Sequence, residues 1–160
     1  ALPIWLARTW KVETTSGAGG PRTRLSFTLR KDVRWQDGSP FTAKDVKATL
    51  LFMQKNSIPR YFDSVRDIES VSVPDPHTLV VTMKNASYWH LHSIGGLPLF
   101  PAALLDRVKD WRSWQPARNP VPGKPGLTEL YGTGPFVYRE MRPGDFVRFA
   151  RNEHFWLIQR

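Results

Sequence analysis

The sequence predicts a mixed α/β fold with hairpins and a few short helices. Three observations support this prediction. Apolar and polar residues alternate over residues 24–31, which is typical of a half-buried strand. A capping pattern and a helical apolar spacing occupy residues 42–55, which indicates a helix. Strand-like segments at 66–73 and 78–84 flank a proline-rich turn, which indicates a hairpin.

The first predicted strand is followed by a turn and a helix. Apolar residues occupy every second position of the strand, at Leu25, Phe27 and Leu29. Residues 35–40 combine an Asp-Gly pair with a proline, which favours a turn. Thr42 precedes Asp45 by three residues, the spacing of a capping box. Apolar residues follow Val46 at i+4 and i+7, so the helix is expected over 42–55.

The rest of the chain predicts short helices, a loop and a second hairpin. Residues 87–94 and 101–108 are expected to form two short helices, the second begun by a proline at a position that needs no N–H donor. Six Pro and Gly residues within 115–128 predict a loop inside one domain. Two strand-like segments around a Pro-Gly turn, within residues 132–149, predict the closing hairpin.

The composition requires a folded chain. The 160 residues are 41% hydrophobic and 12% aromatic, which is too much apolar material for a disordered segment. Cysteine is absent, so disulfides, thiolate zinc sites and cysteine nucleophiles are excluded. No apolar run approaches the roughly 18 residues of a membrane-spanning helix. Residues 1–5 do not have the pattern of a signal peptide, so none is expected in the chain as given.

The net charge of +9 leaves one alternative function open. Residues 1–34 contain seven Lys or Arg residues and two acids, which account for +5 of this charge. These cations are singly spaced and are not clustered along one face with aromatic residues. The spacing favours a solvated basic surface, so no nucleic-acid partner is expected. A basic nucleic-acid-binding module is the alternative hypothesis.

Motifs of catalysis and cofactor binding are absent or incomplete. No G-x-S-x-G nucleophile elbow occurs. Residues 132–134 begin like a dinucleotide-binding loop but lack the third glycine and the following helix. His90 and His92 form a tight pair, yet two imidazoles at i and i+2 diverge on a helix. We therefore expect no enzyme activity, cofactor or metal site, and a small hydrolase is a third hypothesis with little support.

Several blocks of the sequence are collinear with those of one known family. They include LARTWKV, LSFTLRKDVRWQDGSPFTAKDV, GTGPF, RPGD and RNEHFW, together with the predicted strand pair. The blocks lie at residues 6–12, 25–46, 68–83, 132–136, 142–145 and 151–156. In this order they resemble the family 5 extracytoplasmic solute-binding proteins, which are the oligopeptide-, dipeptide- and nickel-binding receptors of ABC importers.

This resemblance implies both a fold and a function. The fold would be part of a periplasmic-binding-protein-like class II lobe, with a mixed sheet, hairpins and a few short helices. Residues 1–160 would form a single partial domain, the small N-terminal subdomain plus part of lobe I of a two-lobed receptor. The receptor would capture a small solute, an oligopeptide or related ligand, and deliver it to the membrane permease of an ABC importer. It would be periplasmic or extracellular, anchored if at all through a segment outside this chain.

The resemblance also suggests three ligand-binding residues. Residues 60–62 resemble the segment in which family members place an aromatic side chain beside the ligand, which suggests Tyr61. Trp89 and Leu97 are further candidates, and the alternative is that Tyr61 simply packs within its own subdomain. The ligand could be a peptide, a nickel complex or an oligosaccharide. Residues 109–130 depart from the family pattern because they are unusually rich in Trp, Pro and Arg.

Overall fold

The computed structural model describes residues 6–17 and 19–157, which fold as two compact units. Residues 1–5, where no signal peptide is expected, lie outside the described residues. No helix among the described residues has the length and apolar character needed to cross a membrane. Unit 1 is drawn from Ala1–Lys31 and Thr42–Ala102, and unit 2 from Asp32–Phe41 and Ala103–Arg160.

Unit 1 contains a four-stranded sheet with helices. Its strands are β1 (Ala7–Gly17), β2 (Gly20–Leu29), β3 (Ile68–Asp75) and β4 (Thr78–Met83). They pair in the order β1-β2-β4-β3, and each pair is antiparallel. Its helices are α1 (Ala43–Lys55), α2 (Phe62–Val65) and α3 (His90–Gly95).

The core of unit 1 follows from the alternation of the strands. The register pairs Leu25 with Val81 and Phe27 with Leu79, so these four apolar side chains share one face of the sheet. All four are buried, and α1 packs on β3 and β4. The buried apolar residues of α1 recur at helical spacing, at Val46, Leu50 and Met53.

Unit 2 has less regular structure. Its strands β5 (Phe136–Arg142) and β6 (Phe146–Arg151) form a two-stranded antiparallel hairpin. A short helix, α4 (Ala102–Leu105), begins at the last residue of unit 1. The buried centre of unit 2 surrounds Trp35, whose ring makes edge-to-face contacts with Phe41 and Tyr131 at centroid distances of 5.7 and 6.3 Å.

The β5–β6 hairpin has an apolar face that is open to solvent. Tyr138 pairs with Phe149 and Met141 with Val147, so these side chains share one face. Four apolar residues of this hairpin are roughly half exposed or more: Phe136, Met141, Val147 and Phe149. Gly144 has a φ of +78°, which the predicted Pro-Gly turn requires.

Most predicted elements are confirmed. The strand predicted at 24–31 overlaps β2, the helix predicted at 42–55 is α1, and both hairpins form. The two predicted short helices are present but shorter, as α3 and α4, and residues 115–128 form the expected loop. The mixed α/β class is confirmed, although every described strand pair is antiparallel where a mixed sheet was expected. The sequence did not predict β1 or α2.

Candidate ligand-binding surface

Two packed helices of unit 1 carry two of the three predicted ligand-binding residues at their starts. Tyr61 is the residue before α2, and Trp89 is the residue before α3. The helices α2 and α3 contact one another. Leu97 follows α3 by two residues. The fold therefore brings Tyr61, which is distant in sequence, to the pair of helices that also carries Trp89 and Leu97.

Tyr61 is half-buried and carries a cation beside its ring. Its backbone N–H donates to the carbonyl of Ile58 at 2.9 Å, which closes the turn that leads into α2. The guanidinium carbon of Arg60 lies 5.8 Å from the centroid of the Tyr61 ring, within the range of a cation–π interaction. The Arg60 side chain is exposed. This position combines an aromatic face with a positive charge that can meet a carboxylate.

Trp89 belongs to a set of three exposed rings that we call the aromatic surface, formed by Tyr88, Trp89 and His92. Tyr88 is 90% exposed and Trp89 is 68% exposed. The Tyr88 and Trp89 rings meet edge to face at 6.1 Å, and Trp89 and His92 do so at 6.4 Å. Large exposed aromatic groups mark interaction sites, because their burial against a partner is favourable.

Hydrogen bonds to β2 fix the backbone beneath the aromatic surface. The Ser87 N–H donates to the Thr23 hydroxyl at 3.0 Å, and the Thr23 N–H donates to the carbonyl of Asn85 at 3.1 Å. The buried His90 places Nε2 2.7 Å from Oδ1 of Asn85. The aromatic surface is therefore held on the sheet although its side chains face solvent.

Leu97 is buried, with 9% of its surface exposed. Its N–H lies 3.4 Å from the carbonyl oxygen of Ile94, at the end of α3. In this structure Leu97 contributes to the packing of unit 1, and its contact with a ligand stays a prediction.

The chain that follows Leu97 is anchored to α1 by buried polar groups. Oδ2 of Asp45 accepts the Thr42 N–H at 2.8 Å and closes the capping box, while Oδ1 accepts the Ala102 N–H at 2.8 Å. The Thr49 hydroxyl accepts the Phe100 N–H at 3.0 Å. The sequence predicted the capping role of Asp45 but not its bond to Ala102, 57 residues away.

The predicted histidine pair lies at α3. His90 is buried against Asn85, whereas His92 is exposed beside the Trp89 ring. Within residues 6–17 and 19–157, no group of three or more His, Asp or Glu side chains is arranged to hold a metal ion. The sequence did not predict Tyr88 and His92 as part of the site. The usable signal was two consecutive aromatic residues with a histidine one helical turn later.

Comparisons with known proteins identify relatives over almost the whole chain. The family model of bacterial extracellular solute-binding proteins, family 5 Middle, matches residues 5–160. The nickel-binding periplasmic protein of Escherichia coli K12 is 27% identical over 156 residues, which are 95% of this chain and 26% of that protein. A Brucella ovis protein named as an ABC transporter peptide-binding protein is 26% identical over 134 residues, 82% of this chain and 24% of its own length.

Solved structures confirm the fold. NikZ from Campylobacter jejuni, solved in complex with Ni(L-His), has a TM-score of 0.72 and 26% identity, over 95% of this chain and 27% of NikZ. The ABC transporter substrate-binding protein CtaP of Listeria monocytogenes has a TM-score of 0.73 over 94% of this chain and 28% of its own, and at 22% identity it supports the fold alone. The chain spans about a quarter of the length of these proteins.

Proposed function

Because the chain belongs to the bacterial extracellular solute-binding proteins of family 5, we propose that it forms part of a receptor for a small solute. The receptor captures an oligopeptide or a related ligand in the periplasm or outside the cell. It then delivers the ligand to the membrane permease of an ABC importer. Residues 1–160 supply a single partial domain, the small N-terminal subdomain plus part of one lobe.

The single observation that carries this proposal is the aromatic surface, which is exposed and yet held firmly on the sheet. Tyr88 and Trp89 present large ring faces to solvent, while the backbone beneath them is bonded to β2. A rigid aromatic group loses little conformational entropy when it binds, so it is an effective ligand contact. We assign ligand contact to Trp89 and Tyr61, with Leu97 as a third contact after local rearrangement.

The ligand class follows from the chemistry beside these rings. Arg60 adds a cation next to Tyr61, and a guanidinium binds a carboxylate with two parallel hydrogen bonds. A peptide and an amino-acid chelate of nickel each carry a carboxylate and a planar group that can stack. The relatives named as nickel-binding and peptide-binding support this assignment. An oligosaccharide would use the rings but leave Arg60 without a partner in the ligand.

Binding to this chain by itself is expected to be weak. Ligand sites usually enclose most of the ligand surface, whereas the aromatic surface contacts a ligand from one side only. In two-lobed receptors, hinge closure supplies the second side. We therefore expect dissociation constants on the order of millimolar for this chain.

An NMR titration of the ¹⁵N-labelled chain tests the proposal. The probes are nickel(II)–L-histidine, trialanine and maltotriose, each raised to about ten millimolar. We expect the first two to change the amide signals around Tyr61 and Trp89, and maltotriose to have a smaller effect. Trp89→Ala should weaken the binding of these two probes about fivefold, since it removes one stacking contact of on the order of 1 kcal/mol.

Trp10→Ala is the matched control, because Trp10 is also an exposed tryptophan but lies on β1. It should leave the titrations unchanged. The assignment to the aromatic surface would be overturned by an equal loss in both variants, by changes centred on β1, or by no change with any probe.

The nucleic-acid alternative is tested separately by fluorescence anisotropy with a labelled 20-base-pair duplex at low salt. We expect no binding. Binding that weakens steeply with added salt and is lost when the arginines of residues 1–34 are replaced would support the alternative instead.

A further inference from the structure

Unit 2 contains a cavity of 310 Å³ that the proposed function does not use. Its walls come from separate stretches of the chain, including Gln36, Asp37, Lys124, Arg139 and His154. The volume is at the lower end of the range for small-molecule sites. We propose that this cavity binds a small molecule through a carboxylate or phosphate group.

The charge of the cavity favours an anion. Lys124 and Arg139 are cationic, and His154 adds a ring nitrogen that can donate a hydrogen bond. Within the described part of the chain, neither Lys124 nor Arg139 forms an ion pair with a carboxylate. Two nearby cations without a carboxylate partner attract an oxyanion from solution.

The carboxylate of Asp37 is committed to its own turn. Its Oδ1 accepts the Ser39 N–H at 2.9 Å and the Ser39 hydroxyl at 2.6 Å. Its Oδ2 lies 3.4 Å from the Tyr131 hydroxyl. Asp37 therefore forms part of the wall and leaves the cationic groups of the cavity available to a ligand.

The position of Arg139 is unusual for a strand residue. The β5–β6 register shifts between Tyr138 and Glu140, so Arg139 lies at an irregularity of the ladder. Such irregularities redirect a side chain and are frequent beside binding sites. Nη1 of Arg139 donates to the carbonyl of Gly126 at 2.6 Å. A guanidinium has five N–H donors, so this bond orients the group and leaves donors for an oxyanion.

The loop that carries Lys124 is closed by its own backbone. The Val121 N–H donates to the carbonyl of Leu127 at 2.9 Å, and the Lys124 N–H donates to the carbonyl of Val121 at 3.1 Å. Gly126 has a φ of +74°, a left-handed conformation that favours glycine. This loop belongs to residues 109–130, the stretch that departs from the family pattern.

Two side-chain amides fix the backbone of other parts of the wall. Nε2 of Gln36 donates to the carbonyls of Gly134 and Phe136 at 3.1 and 2.8 Å. Asn152 is buried, and its Oδ1 accepts the N–H of His154 at 3.0 Å. The cationic side chains therefore stand on walls fixed by hydrogen bonds, and a preformed site loses less entropy on binding.

The test is an NMR titration of the chain with inorganic phosphate and, separately, with succinate, both at constant ionic strength set by sodium chloride. We expect saturable changes at residues 36–37, 124–127 and 137–139. The probe that binds with the higher affinity identifies whether the cavity prefers a phosphate or a carboxylate group. Arg139→Gln and Lys124→Gln should each weaken binding about tenfold, since each removes a charge-assisted hydrogen bond.

Arg142→Gln is the matched control, because it makes the same charge change on β5 outside the cavity. It should change affinity less than about twofold. The proposal is overturned by equal losses in all three variants, by the same changes in a separate titration with sodium chloride alone, or by no saturable change with either probe. Unchanged signal dispersion in Lys124→Gln shows that its loss of binding is not a loss of fold.

Discussion

The two sheets of this molecule are paired in the same way but buried very differently. In unit 1 the face that carries Leu25 and Val81 is buried, with α1 packed on the sheet. In unit 2 the face that carries Met141 and Phe149 is about half exposed. The strands of both sheets pair in the antiparallel sense. A two-stranded hairpin is marginally stable by itself, so pairing without burial contributes little.

This difference teaches that apolar burial is placed differently in the two units. Unit 1 buries apolar residues between a sheet and a helix. Unit 2 buries apolar residues around Trp35, away from the open face of its hairpin, and long-range hydrogen bonds such as those of Gln36 add to this packing. The same substitution should therefore have different effects in the two sheets.

The largest effect is expected from Leu50→Ala in α1. Leu50 is fully buried. The empty space left by the shorter side chain should therefore reduce the free energy of unfolding by about 2–5 kcal/mol. Urea unfolding followed by circular dichroism measures it. Leu51→Ala is the matched control, because Leu51 is the next residue and is exposed. Similar losses for both variants would show that the core of unit 1 is not where the structure places it.

The most direct comparison uses one substitution in both sheets. Val81→Thr places a hydroxyl at a fully buried position of β4 and should cost about 1–3 kcal/mol. Val147→Thr makes the same change on the exposed face of β6 and should change stability by less than about 0.5 kcal/mol. The same denaturation experiment serves both. A large loss at Val147 would contradict the exposure of that face.

The polar side chains that anchor the two units should contribute more nearly equal amounts to the free energy of unfolding. Asp45→Ala removes the bonds to Thr42 and Ala102 in unit 1, and Gln36→Ala removes those to Gly134 and Phe136 in unit 2. Each should cost about 1–2 kcal/mol in unfolding free energy.

Amide hydrogen exchange localises these two losses. Protection should fall around Ala102 in the first variant and around Phe136 in the second. If protection falls across both units in either variant, these anchors do not act locally.

The smallest expected effect is on stability at low pH, and it should be similar in both units. Bonds from the Thr78 hydroxyl and the His77 N–H hold the pKa of Asp75 below its ordinary value of 3.8. The Arg112 N–H and the Ser113 hydroxyl lower the pKa of Asp110 in the same way. A lowered pKa adds stability above the ordinary value, and this contribution is lost as pH falls through the folded-state pKa.

Asp75→Asn and Asp110→Asn should therefore each flatten slightly the fall of thermal stability below about pH 4. Thermal unfolding followed by circular dichroism at several pH values measures this. A steeper fall in either variant would reverse the predicted sign.

Local patterns in the sequence predicted the elements whose burial is one-sided. The helix α1 was predicted because Thr42 and Asp45 mark its start and Val46 begins a buried stripe. The strand β1 was missed because it is largely exposed, so burial imposes no alternation on it. The helix α2 spans four residues, which is too short to show a helical period.

The sites were less predictable because their groups meet across long separations. The resemblance suggested Tyr61 and Trp89, and the fold places both at packed helices. The bond between Asp45 and Ala102 joins residues 57 positions apart. The cavity of unit 2 is lined by Gln36, Lys124 and Arg139, and no local motif contains all three.

The discontinuity of unit 2 has a consequence for synthesis of the protein. Trp35 and Phe41 leave the ribosome well before Tyr131, the third ring of their cluster. At about 5–20 residues per second, the intervening chain takes roughly 5–20 seconds to make. Unit 1 lies within the first 102 residues and can fold during that interval. Until Tyr131 emerges, Trp35 and Phe41 lack the third ring of their cluster.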